Sequence, residues 1–221
     1  MIKLNKRLET VASLVEDNRS IIDIGCDHAF LSIYLVENNN PKKVIASDNK
    51  EGPLDGAKEN INKYNVSDKI KIKLGDGVDP IEPDIDTIII SGMGGMNTVG
   101  ILKYKTSLFK NVDTIILSPN TDSDFVRYEI CKLGFHIDEE KLVKDNNFIY
   151  PVIRFKRGRK FYKKIEYILG PILIQKKEDI FIEYLTNLKE NKEKVLELLP
   201  KKYISKRISL KKELKEINKL F

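Results

Sequence analysis

Short apolar segments that alternate with amphipathic stretches constrain this chain more than any other feature. Five of them read as β-strands: residues 20–25 (SIIDIG), 43–48 (KVIASD), 69–74 (KIKIKL), 86–91 (DTIIIS) and 113–118 (DTIILS). Between them, residues 29–37, 53–64 and 124–133 carry the patterning of helices, with Pro53 suited to a first helical turn. Residues 4–15 place Leu4, Leu8, Val11 and Val15 on one helical face, and residues 135–142 and 148–155 read as a closing antiparallel pair. Alternation of this kind predicts an α/β fold: a doubly wound, mostly parallel, Rossmann-like sheet with helices on both faces. The segment 86–91 is apolar enough to be central.

Parallel sheets bind ligands at the carboxyl ends of their strands, so the chemistry is sought there. The first strand runs out in Asp23-Ile24-Gly25-Cys26-Asp27-His28. A dinucleotide needs three glycines at this turn so that its diphosphate can lie on bare backbone. Here one glycine is present, and Asp27 puts a carboxylate where the phosphates would lie. This repels a diphosphate and suits a ligand with positive charge, such as the sulfonium and ammonium of S-adenosylmethionine. Asp23 is placed to hold the ammonium, with Gly25, Cys26 and His28 in the same loop; a competing role for Asp27 is to cap the next helix. Asp48 ends the second strand at a spacing that suits hydrogen bonds to a ribose diol. Gly75-Asp76-Gly77 ends the third, as a turn or as a partner for an adenine amine. Ser91-Gly92-Met93-Gly94-Gly95 ends the fourth, with more glycine than a turn requires, and reads as the wall where methyl donor and acceptor meet. Ser118-Pro119-Asn120 ends the fifth, and Asn120 has both a donor and an acceptor for a base edge.

Charge divides the chain. Residues 1–150 hold 19 basic and 24 acidic side chains, whereas residues 151–221 hold 20 and 9. The shift begins at residues 154–164 (RFKRGRKFYKK), where Arg154, Lys156, Arg157, Arg159 and Lys160 are candidates for phosphate contacts, with Phe161 and Tyr162 interleaved. Beyond Gly170-Pro171, Phe181, Leu185, Leu188, Val195 and Leu199, then Ile204, Ile208, Leu214, Ile217 and Phe221, fall at spacings of a helical hairpin closed as a coiled coil. The expected division is a ligand-binding domain over residues 1–158 and a helical, nucleic-acid-binding domain over 159–221. Two cysteines and two histidines predict neither a disulfide framework nor a metal site. With no long apolar run and no apolar leader, a cytoplasmic, monomeric protein without a membrane partner is expected.

The motifs DIGCDHAFL, GDG, SGMGG and SPN, in this order, resemble those of the bacterial tRNA (adenine-N1)-methyltransferases that act at tRNA position 22, the TrmK family; LNKRLETVA is similar to that family's opening. The resemblance covers nearly the whole chain. It implies S-adenosylmethionine as methyl donor, N1 of an adenine in the D arm of tRNA as acceptor, and a methyltransferase domain followed by a coiled coil. Carried over by motif, Asp23, Gly25, Asp27 and His28 fall in the first cofactor loop, Asp48 on the ribose, Gly75–Gly77 near the adenine and residues 92–95 near the transferred methyl. The sequence departs from the family's usual residues at Cys26, at Phe30-Leu31-Ser32, at Asp48 (Asp for Glu, which keeps the ribose chemistry) and at Ser118, which puts a base contact from that position in doubt. Asp27 and Asn120 are the candidate catalytic pair, Asp27 to stabilise charge on the methylated base and Asn120 to orient it. The residues alone leave open another RNA base or a protein as acceptor, and a non-catalytic RNA-binding adaptor of the same fold.

Overall fold

The computed structural model describes residues 2–221 and falls into two compact units, one ending at Lys160 and one spanning Phe161–Phe221. The first holds a seven-stranded sheet of β1 (Ser20–Ile24), β2 (Lys43–Asp48), β3 (Ile70–Leu74), β4 (Thr87–Ser91), β5 (Thr114–Ser118), β6 (Phe135–Asp145) and β7 (Phe148–Arg157), in the order β3-β2-β1-β4-β5-β7-β6. The first five are mutually parallel; β7 inserts antiparallel between β5 and β6, with a bulge in the β6 pairing near Ile137 and Glu139. The strand order reverses between β1 and β4, so their carboxyl ends diverge and open a crevice at that switch point.

Side-chain alternation then sets what faces what. On one face, Ile21 of β1, Ile89 of β4 and Ile116 of β5 pack with α1 (Lys6–Ala12) and α2 (Phe30–Asn38), and Val44 and Ala46 of β2 pack with α2 and α3 (Glu51–Lys63). Asp23, Ser91 and Ser118 lie on this same face, each two residues beyond one of the buried isoleucines. Two further helices, α4 (Gly95–Lys103) and α5 (Ser123–Lys132), pack on each other. Helix α4 is absent from the sequence reading, because three glycines in a row of five hide its start; Gly94 is its N-cap.

The second unit contains α6 (Lys164–Leu169), α7 (Pro171–Lys176), α8 (Asp179–Leu198) and α9 (Ile204–Asn218). Gly170, at φ +94°, separates α6 from α7, and Pro171 begins α7. The expected seam is only partly closed. Phe181, Leu185, Leu214 and Ile217 are buried, while Val195, Ile204 and Ile208 remain about half exposed or more toward the turn. Glu213 of α9 ties the base together through Lys192 of α8 and Lys164 of α6, each at 2.9 Å. Among the described residues, no helix is long and apolar enough to cross a membrane.

Candidate active site

Two cavities that share Gly25, Asp27, Ser91 and Gly92 lie at the carboxyl ends of β1 and β4. The larger, about 550 Å³, reaches Asp48 beyond β2, Gly75–Gly77 beyond β3, and Met93 and Ile101 beyond β4. The smaller, about 220 Å³, runs under α1 and includes Asp23, Cys26, His28, Phe30 and Arg7. All ten positions read from the sequence as cofactor contacts therefore line one cavity or the other.

The loop after β1 is held in shape by backbone. Gly25 N and Cys26 N both donate to Ser47 O, at 2.8 and 3.0 Å, and Ala29 N donates to Cys26 O at 2.8 Å. This curls Asp27 (φ +51°) and Ala29 (φ +56°) into the left-handed region, which costs about 1 kcal/mol or more for alanine. Asp27 does not cap α2: the N-cap is Ala29, with no side-chain cap bond. Its carboxylate is mostly exposed instead, 3.9 Å from His28 Nε2. The His28 ring packs on α3, where a Cβ on Gly56 would stand 2.5 Å from Nδ1. Cys26 is buried with Ala29 and Ile33, and burial pushes its thiol far up, so it acts as a packing residue and not a nucleophile.

Asp23 is 4% exposed, and its Oδ2 accepts a hydrogen bond from Ser32 Oγ at 2.9 Å. Burial pushes its carboxyl up to about 6; the Ser32 bond opposes that rise, and the Asp48 charge adds to it. Asp48 is fixed by a 3.1 Å bond from Lys50 N to its Oδ1. Three carboxylates on one crevice suit a ligand with a cationic end and a diol. Two further features point to a ligand there. Gly92, at φ +84°, has open space where a Cβ would be. Ser91 Oγ is buried without a hydrogen-bond partner.

Asn120 does not line either cavity, but it is built into the wall. Its backbone N–H donates to Met93 O at 2.8 Å and its Nδ2 donates to Gly92 O at 2.6 Å. Its Oδ1 accepts from Arg7 Nη1 at 2.6 Å. Arg7, a residue that sequence reasoning missed, is 8% exposed, donates from Nε to Ser118 Oγ at 2.8 Å and from Nη2 to Ser118 O, and lies 4.1 Å over the Tyr150 ring.

Three of the basic residues read as candidate phosphate contacts have partners within the sheet unit. In the β5–β7 register Lys156 stands opposite Thr114, at the amino end of β5, and Arg154 opposite Ile116, at its middle. Their side chains are also engaged. Arg154 bonds Asp138 at 2.7 Å and Leu14 O at 3.0 Å. Lys156 pairs with Glu16, whose carboxyl is held down at about 2 by bonds from Arg19 and Lys156. Arg157 donates to Val112 O and Phe109 O. These contacts hold the sheet to its neighbours. Arg159 and Lys160 are exposed; Phe161 is 98% exposed, whereas Tyr162 packs edge-on against Tyr167.

Fold and site together define a methyltransferase: the model of the methyltransferase domain family matches residues 4–153. The Bacillus subtilis tRNA (adenine(22)-N(1))-methyltransferase is 29% identical over 89% of this chain and 85% of its own length. The solved structure of the B. subtilis m1A22 tRNA methyltransferase TrmK superposes with a TM-score of 0.89 at 26% identity, over 100% of this chain and 99% of that one. A Streptococcus pneumoniae relative, solved in complex with S-adenosyl-L-methionine, is 30% identical over 100% and 99%, with a TM-score of 0.89. The chain belongs to the tRNA (adenine(22)-N(1))-methyltransferase family.

Proposed function

We propose that this protein transfers the methyl group of S-adenosylmethionine to N1 of adenine 22 in the D arm of tRNA, working as a monomer in the cytoplasm. The observation that carries the reading is the buried Asp23 carboxylate, which shares a crevice with Asp27 and Asp48. That donor set fits the cofactor. Asp23 would hold its ammonium, Asp48 its ribose diol and the Gly75–Gly77 turn with Asp76 its adenine. When bound, the cofactor supplies an electrophilic methyl on a sulfonium.

Adenine N1 carries an in-plane lone pair, so attack needs no strong base. What this chain contributes is position: alignment of the reacting atoms reaches several kcal/mol. The open space over Gly92 admits the base edge. Asn120 orients the base, and Asp27 stabilises the positive charge left on it and accepts the amine proton that later departs. The acceptor leaves its stack to reach the crevice, and Arg159, Lys160 and the exposed Phe161 take part in holding the RNA by charge and stacking.

The test is methyl transfer from labelled S-adenosylmethionine to unmethylated tRNA, with the modified nucleoside mapped. N1-methyladenosine at position 22 is expected. Binding of cofactor without incorporation would overturn the substrate assignment and leave the fold assignment standing.

A further inference from the structure

We propose that Arg7 is a positioning residue that sets the specificity for an amino-bearing base by locking the amide of Asn120; the proposal rests on the reading that adenine is the acceptor. Arg7 lies on α1, far in sequence from any strand end, yet its guanidinium spans the end of β5. Three of its nitrogens donate to Ser118 Oγ, Ser118 O and Asn120 Oδ1. Tyr150 covers its face, and burial lowers its affinity for the proton only against a guanidinium's very high starting value, so it stays a cation.

The consequence falls on Asn120. An amide has two orientations of nearly equal shape. In the observed one, Oδ1 meets a donor, Arg7, and Nδ2 meets an acceptor, Gly92 O, at 2.6 Å each. Turning it over sets NH2 against guanidinium and oxygen against carbonyl oxygen, two repulsions in place of two bonds. Arg7 and Gly92 therefore fix Oδ1 as the atom with a lone pair to spare. That lone pair accepts a hydrogen bond from the exocyclic amine of adenine. It offers nothing to N1, whose own lone pair must stay free for the methyl group. One of the amide hydrogens, which could bind N1 and block it, is directed to the Gly92 carbonyl.

The test compares tRNA carrying adenine at position 22 with the same tRNA carrying unsubstituted purine, which keeps N1 and lacks the amine. Wild type is expected to favour adenine in kcat/KM by about tenfold more than the free nucleosides differ in N1 reactivity, the worth of one hydrogen bond. In Arg7→Gln and in Asn120→Ala this added preference should disappear, leaving the ratio that the two free nucleosides show toward a methylating agent, and the double variant should lose no more than either single one. A purely structural Arg7 would lower both rates together and leave the ratio as in wild type, which would overturn the proposal. Should Arg7→Gln not fold, Arg7→Lys keeps the charge without the fork and is read by the same ratio. Wild type that methylates neither tRNA refutes the acceptor reading, and the proposal with it; wild type that shows only the ratio of the free nucleosides refutes the proposal alone.

Discussion

Ser32 of α2 donates to the Asp23 carboxylate of β1 at 2.9 Å, and together they turn the innermost polar group of the crevice toward the smaller cavity. Asp23 is raised to about 6 in the folded chain against an ordinary 3.8. A carboxyl raised on folding stabilises the protonated native state, and that contribution is lost as pH rises from about 4 through about 6. Asp23→Asn should therefore match wild type in thermal stability below pH 4 and exceed it at pH 7, while binding S-adenosylmethionine at least ten times more weakly. In wild type, cofactor affinity should fall as pH drops below about 6, where Asp23 takes up its proton. Thermal melts and titrations across pH 4–8 check both signs.

Asp27 sits at φ +51°, a conformation that asparagine tolerates as well as aspartate. Asp27→Asn should keep the loop while slowing turnover at saturating cofactor by about tenfold or more, the scale of losing one charge that faces a developing cation. Single-turnover kinetics with saturating cofactor read this directly. A wild-type rate would remove Asp27 from the chemistry.

Ser91 Oγ is buried at the crevice without a hydrogen-bond partner. Removing such a hydroxyl relieves a desolvation cost of about 1–3 kcal/mol, so Ser91→Ala should melt higher than wild type without ligand. Saturating ligand should narrow or reverse that gap, because the hydroxyl gains its partner only then. Melting curves with and without S-adenosylhomocysteine and tRNA measure the difference.

Arg159 and Lys160 are exposed, and Arg154 and Lys156 are ion-paired within the sheet unit. Reversing the first pair to glutamate should weaken tRNA binding and reduce the slope of log affinity against log salt by about one per lost phosphate contact. Reversing Arg154 and Lys156 should lower the melting temperature first, since each change leaves Asp138 or Glu16 facing a like charge.

The parallel strands were legible because their apolar runs are short and end in glycine, serine or aspartate, and the positions of Asp23, Asp48 and Gly75–Gly77 followed from that alone. Arg7 was not legible. Its partners Ser118 and Asn120 lie more than a hundred residues away, and although its spacing, three after Leu4 and four before Val11, sets it beside the apolar stripe of α1, its charge reads as a solvated side chain. The basic run at 154–160 shows a related limit. Sequence displays charge but not its pairing, and the acids that neutralise Arg154 and Lys156 come from the segment after α1 and from β6. Helix α4 was hidden because glycine usually marks the end of regular structure, whereas here a close approach requires it: a Cβ on Gly95 would stand 2.5 Å from Thr121 O.

The position of β3 at the sheet edge has a kinetic corollary. Strands β4 and β5 are flanked on both sides and nearly wholly buried, but β3 pairs only with β2, and Leu74 at its end is 56% exposed. Amide hydrogen exchange should accordingly be fast along β3 and the Gly75–Gly77 turn through local opening, and slow along β4 and β5, where it waits for global unfolding. The crevice thus has one breathing end and one fixed end. The nucleoside part of the cofactor would enter and leave past the first, while the second keeps the geometry of methyl transfer from one turnover to the next.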